Sequence, residues 1–85
     1  MNDKILVRLM DIDKEDTMIT AFYTTNWSET LKMYSFLKEN DLSYNITTEV
    51  ENQNYKDRIF FIKDITIAFG NGMSLNCIDI YVEVI

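Results

Sequence analysis

The side chains of this chain with chemical potential are a single thiol, Cys77, and several closely spaced carboxylates; histidine is absent. A thiol attacks only as its thiolate, which needs a histidine, a cation or a helix N-terminus to lower its pKa. Cys77 is followed by Asp79 and Glu83, and no Lys or Arg occurs after Lys63. That neighbourhood disfavours the thiolate and predicts an inert strand cysteine. Lone carboxylates can serve as general acid and base, but one of them must sit desolvated in a deep cleft. A chain of 85 residues with one helix is a poor builder of such clefts.

The sharpest acidic cluster is Asp11-Ile12-Asp13-Lys14-Glu15-Asp16. Oxygens at alternate positions resemble the start of a calcium loop. The match then fails, because Asp16 stands where the loop turns on Gly and Phe22 where it needs a bidentate Glu. A solvated turn is expected there, not a metal site. Gly70-Asn71-Gly72 makes no phosphate cradle, since it lies between strands and no Lys-Ser/Thr follows it. Tyr23, Trp27, Tyr34 and Tyr44 lack the basic groove that a base-stacking platform requires, so core packing is expected for them. The expectation is a non-enzymatic protein with no catalytic residue, no cofactor and no metal.

What remains is charge. Fourteen Asp and Glu stand against eight Lys and Arg, a net charge of −6. Nucleic acid and anionic membranes, which need cations to replace their counterions, are disfavoured as direct ligands. A protein with a basic surface is favoured, because opposite charge speeds encounter. The expected partner-binding residues are Asp11, Asp13, Glu15 and Asp16 in the first connection, Glu39 and Asp41 after the helix, Glu49 and Glu51 on one strand face, and Asp79, Tyr81 and Glu83 on another. Glu49 and Glu51 would lie about 6.8 Å apart on an antiparallel strand, and Asp79 and Glu83 about twice as far. Such rows of fixed negative charge can occupy a surface built for phosphates. Tyr81 and Tyr55 are the expected aromatic anchors.

In size, acidity and lack of catalytic residues the chain is similar to small phage-encoded inhibitors, including anti-CRISPR proteins and other DNA mimics. The similarity is one of composition and carries no residue role over. It implies an inhibitor or adaptor directed at a basic surface of a host nucleic-acid-handling protein. The alternative expectation is a small homodimeric structural or regulatory protein that assembles through an apolar sheet face, burying Phe60 and Ile62. A lone cysteine, no secretory h-region after Met1-Asn2-Asp3-Lys4 and no apolar run long enough for a bilayer predict a cytoplasmic protein, in the host cytoplasm if phage-encoded.

The elements that must position these residues are legible from periodicity. Ile5, Val7 and Leu9 alternate with Leu6, Arg8 and Met10, predicting a strand with two rather apolar faces. Thr17 to Thr24 predicts a second strand, hairpin-paired with the first. Asn26 with Glu29 three residues on has the form of a capping box, and Trp27, Leu31, Tyr34 and Leu37 follow at helical spacing, with Met33 and Phe36 widening the stripe. That helix should end near residues 39–41. Ser43 to Glu51 alternates as a strand. Arg58 to Phe69 is strongly β, as one strand or as two broken at Lys63-Asp64. Gly70-Asn71-Gly72 supplies a hairpin loop, and Leu75 to Ile85 closes the chain with Ile78, Ile80, Val82 and Val84 inward. Residues 1–85 therefore predict a single α+β domain of order ββαβββ: an antiparallel sheet of four to six strands with one amphipathic helix on one face. The uncovered face is expected to be partly apolar.

Overall fold

The computed structural model of the chain describes residues 4–14, 17–46, 50, 52–69 and 75–85. Its elements run β1 (Ile5–Asp11), β2 (Met18–Thr24), α1 (Trp27–Glu39), β3 (Ser43–Asn45), a single 3-10 turn at Gln53–Tyr55, β4 (Ile59–Phe69) and β5 (Leu75–Val84). The expected order ββαβββ is thus present in an α+β fold with one helix. The five strands form one sheet in the order β2-β1-β5-β4-β3.

The sheet is mixed, which corrects the expectation of a purely antiparallel one. β1 pairs with β2 as an antiparallel hairpin, and β5 pairs antiparallel with β4, but β1 and β5 run parallel with Arg8 beside Asp79 and Leu9 beside Ile80. Burial explains the arrangement. Ile78, Ile80 and Val82 of β5 are wholly buried, as is Val7 of β1. The centre of the sheet is where such residues are covered from every side, and each is worth about 1.5–3 kcal/mol when buried. The last strand therefore inserts beside the first, and both hairpins join there.

One face of the sheet carries the core. Ile5, Val7, Leu9, Phe60, Ile62, Ile78, Ile80 and Val82 pack with Tyr34 of α1, with Ile19 and Val50, and with Tyr55 from the 3-10 turn. Leu31 and Leu37 complete the helix's contact with this core. Trp27, Met33 and Phe36 do not join it. Phe36 is 58% exposed and Met33 51%, so the wide stripe expected from spacing is narrower in fact. β4 is one continuous strand, and its register shifts at Ile62/Asp64. The anticipated break is therefore a bulge at Lys63. Ser43–Asn45 is the only described strand within the expected 43–51 strand. Residues 47–49 and 51, like residues 70–74 where the hairpin loop Gly70-Asn71-Gly72 was expected, lie outside the described residues.

The helix ends differ from each other. Asn26 makes no side-chain capping bond, because its ψ of 62° lies outside the extended region from which a cap reaches back. The Thr24 hydroxyl instead accepts the Asn26 N–H, and Thr30 donates its hydroxyl to the Asn26 carbonyl. At the other end the Asp41 N–H bonds Lys38 and the Leu42 N–H bonds Leu37. That pair of bonds is the Schellman arrangement, with Asp41 at φ 50° in the left-handed position usually given to Gly.

Candidate functional site: the open face of the sheet

Among the described residues there is one α-helix, and it covers only one sheet face. The other gathers residues from all five strands through the register. Tyr23, Leu6, Cys77 and Ala68 form one row across the sheet; Ala21, Arg8, Asp79 and Thr66 form the next; Met10, Tyr81 and Asp64 follow; Glu83, Phe61 and Ser43 lie beyond. Leu6, Met10, Phe61 and Tyr81 are half-buried, and Thr66 and Ala68 are exposed. The expected apolar second face is therefore real, but its residues are these. Phe60 and Ile62, expected on a dimer face, belong to the core under the helix instead.

At the centre of the open face is a fork. Arg8 Nε and Nη2 each donate to a different oxygen of Asp79, both at 2.8 Å. The Cys77 thiol donates to Asp79 Oδ1 at 3.1 Å. Asp79 is held below the usual carboxylate range chiefly by the Arg8 hydrogen bonds, against the opposing effect of burial. The Arg8 guanidinium is pushed up by the same contact. Burial raises the Cys77 thiol, and its bond to Asp79 raises it further. A carboxylate pinned in its ionised form and a thiol pinned in its protonated form are both far from the balance that proton transfer or nucleophilic attack needs near neutral pH. The cluster ties β1 to β5 instead.

The acidic candidates fall into four groups. Asp11 is buried, and both its oxygens are used: Oδ2 accepts the Tyr55 hydroxyl at 2.7 Å and Oδ1 accepts the Asp13 N–H at 3.0 Å. Asp11 therefore belongs to the interior and shapes the β1–β2 connection, with Lys14 N–H bonding its carbonyl. Tyr55, expected as an exposed anchor, is buried with its phenol pushed up to about 12 by burial and then by Asp11. Asp79 and Glu83 share a strand face as expected, but both face cations. Arg8 forks Asp79, and Lys63 Nζ lies 3.9 Å from Glu83 while also sitting 5.8 Å over the Phe61 ring. The row is therefore a set of neutralised pairs. Asp13 is exposed at a turn, and Glu39 and Asp41 are exposed at the C-terminal end of the helix. Glu15, Asp16, Glu49 and Glu51 lie outside the described residues.

Sequence reasoning placed Cys77, Asp79, Tyr81 and Glu83 on the outward face of the last strand, Leu6, Arg8 and Met10 on the second face of the first, and Phe61 opposite Phe60 and Ile62, but did not show that they share one surface. The alternation of β1 and β5 carried the signal. Which strands are neighbours did not show. Among the described residues no three carboxylate or thiol groups converge to hold a metal ion, and no helix is long and apolar enough to cross a membrane. A second apolar feature is the outer surface of α1, where Trp27, Met33 and Phe36 stand beside Glu29, Lys32 and Glu39. The fold defines the chain as a two-layer α+β domain with one bare sheet face. Comparison with protein-family models, with curated proteins and with solved structures finds no match.

Proposed function

We propose that this is a non-enzymatic protein-binding protein, and that the open sheet face is its binding surface. The observation that carries the reading is the one-sided covering of a five-stranded sheet whose bare face holds Leu6, Met10, Phe61 and Tyr81 around a central ion pair. Apolar side chains left half-exposed on a sheet face that no element covers are characteristic of interaction sites. Leu6, Phe61 and Tyr81 have few rotamers and are already half-buried, which keeps the ordering cost of binding low. The narrower reading of an acidic, phosphate-like row draws less support. Asp11 and Asp79 are engaged internally, Glu83 lies near Lys63, and five of the fourteen carboxylates (Asp3, Glu15, Asp16, Glu49 and Glu51) lie outside the described residues. The net charge of −6 still favours a basic target over an acidic one, as an influence on encounter rate. A single cysteine fits action in a reducing cytoplasm.

The test is a photo-cross-linking residue placed at Thr66, exposed on the open face, and compared with the same residue at Lys32 on the outer helix surface. In cells the Thr66 position is expected to give a discrete protein adduct and the Lys32 position none. Absence of any adduct at Thr66, or equal adducts at both positions, would rule the face out as the binding surface.

A further inference from the structure

We infer that the occupant of the open face is a second copy of this chain, packed sheet to sheet about a two-fold axis beside the Arg8–Asp79 fork; this names the partner and rests on the reading of that face as a binding surface. Three observations carry it.

The first is area. β1 and β2 have seven residues each, β3 three, β4 eleven and β5 ten. At about 3.3 Å per residue and about 4.8 Å between strands, the face covers about 600 Å². Two such faces laid together bury about 1,200 Å², the lower bound of a standard stable interface. No small peptide would use the whole surface.

The second is charge. The face holds Arg8 and Lys63 against Asp64, Asp79 and Glu83, with Arg8 forked to Asp79 and Lys63 near Glu83. A surface this close to neutral offers little attraction to a strongly basic or acidic partner, despite the charge of the whole chain. It is, however, self-complementary. The fork has a cationic and an anionic end, and a two-fold axis beside it sets each end against the opposite end of the mate. An isologous interface demands this property, since the same patch must fit itself.

The third is the exposure of the fork. The Arg8 side chain is 40% exposed and that of Asp79 12%. Covering a part-solvated guanidinium with apolar surface costs desolvation that nothing offsets. A copy presents its own Asp79 and Arg8 to the same spot, so the charge is met and the surrounding Leu6, Met10, Phe61 and Tyr81 supply the apolar contact.

Sedimentation velocity on the purified full chain tests this over about 1 to about 100 μM, the range of weak to moderate protein affinities. Wild type is expected to shift from monomer to dimer. Thr66→Arg, which sits beside Asp79 in the register and is exposed in the single chain, should keep the circular dichroism spectrum and remain monomeric throughout. Lys32→Glu on the helix should dimerise as wild type does. Raising the salt to about 0.5 M should leave the dimer within a few-fold of its original Kd, since the apolar contacts around the fork supply its affinity and a covered ion pair is little screened. A wild type that stays monomeric, or a Thr66→Arg variant that still dimerises, overturns the inference. A monomeric wild type that still gives a Thr66 adduct of foreign mass overturns only the second copy and leaves the binding face standing. A monomer with no adduct at Thr66 removes both.

Discussion

Removing either half of the Arg8–Asp79 pair should have unequal consequences, and the structure sets the order. Arg8→Met keeps much of the stem's volume but leaves the Asp79 carboxylate, 12% exposed, with only the Cys77 thiol as a side-chain donor. A thiol is a weak donor, so the variant strands a largely desolvated charge. Breaking a buried pair in this way costs about 3–5 kcal/mol, and the residual exposure of Asp79 places the expectation near the lower figure, about 3 kcal/mol. Asp79→Asn strands the guanidinium instead. Water reaches Arg8, whose side chain is 40% exposed, and the Asn oxygen can still accept one bond. That loss should be about 1 kcal/mol, as for solvated pairs.

Urea unfolding reads the difference directly. With a slope of about 1 kcal/mol per molar for a domain this small, Arg8→Met should lower the midpoint by about 3 M and Asp79→Asn by about 1 M. Acidity then separates this cause from lost packing. In wild type the folded pKa of Asp79 is depressed, so the pair's contribution is complete above the unfolded value of about 3.9 and is lost as pH falls through the lower folded value. Arg8→Met removes the main depressing cause, and protonation then relieves the stranded charge. The gap between wild type and Arg8→Met should therefore narrow from pH 7 to pH 3. Equal losses in the two variants, or a gap that ignores pH, would refute the assignment of the pair as a desolvated tie between β1 and β5.

Three further outcomes follow from the same structure. Tyr55→Phe should cost about 1.5–3 kcal/mol in urea unfolding, because it removes a 2.7 Å hydrogen bond to a charged acceptor; it should also weaken the alkaline loss of stability, since a phenol raised to about 12 favours folding below its unfolded pKa and loses that effect as pH rises through the folded value. Cys77 should resist iodoacetamide at pH 8 in the folded protein and react readily in urea, given its burial and raised pKa; rapid labelling of the native chain would contradict the thiol–carboxylate bond. Asp41→Gly should raise stability by about 0.5–1 kcal/mol, because Gly holds the left-handed position without strain and a negative charge leaves the helix C-terminus; a fall in the melting temperature would show that Asp41 does more than end the helix.

The sequence made some of this fold legible and withheld the rest for identifiable reasons. Period-two alternation located β1 and β5 and sorted Ile78, Ile80 and Val82 from Cys77, Asp79 and Tyr81 onto opposite faces. It could not show that β1 and β5 are parallel neighbours, because alternation reads the same whichever way a partner strand runs. The Arg8–Asp79 fork spans 71 positions and the Tyr55–Asp11 bond 44, so both depend on that hidden neighbourhood. The acidic row of Asp79 and Glu83 was visible along one strand, but its neutralising cations stand on the strands to either side. In α1 the helical spacing marks Trp27, Leu31, Tyr34 and Leu37 as the stripe, and the sheet takes Leu31, Tyr34 and Leu37 of it, leaving Trp27 and the widening residues Met33 and Phe36 outside.

The same hidden neighbourhood decides what kind of surface the open face is. Had β5 paired at an edge, Asp79 would be a solvated carboxylate and the face would be acidic, as the composition implies. Insertion beside β1 places Asp79 against Arg8 and converts an acidic row into a dipolar one. A dipolar pair that is part-solvated in the single chain penalises any partner that covers it without matching charges, and so discriminates among partners while adding little affinity of its own. Affinity must then come from Leu6, Met10, Phe61 and Tyr81. Net charge describes how the chain approaches another molecule, whereas strand order determines what it can dock against.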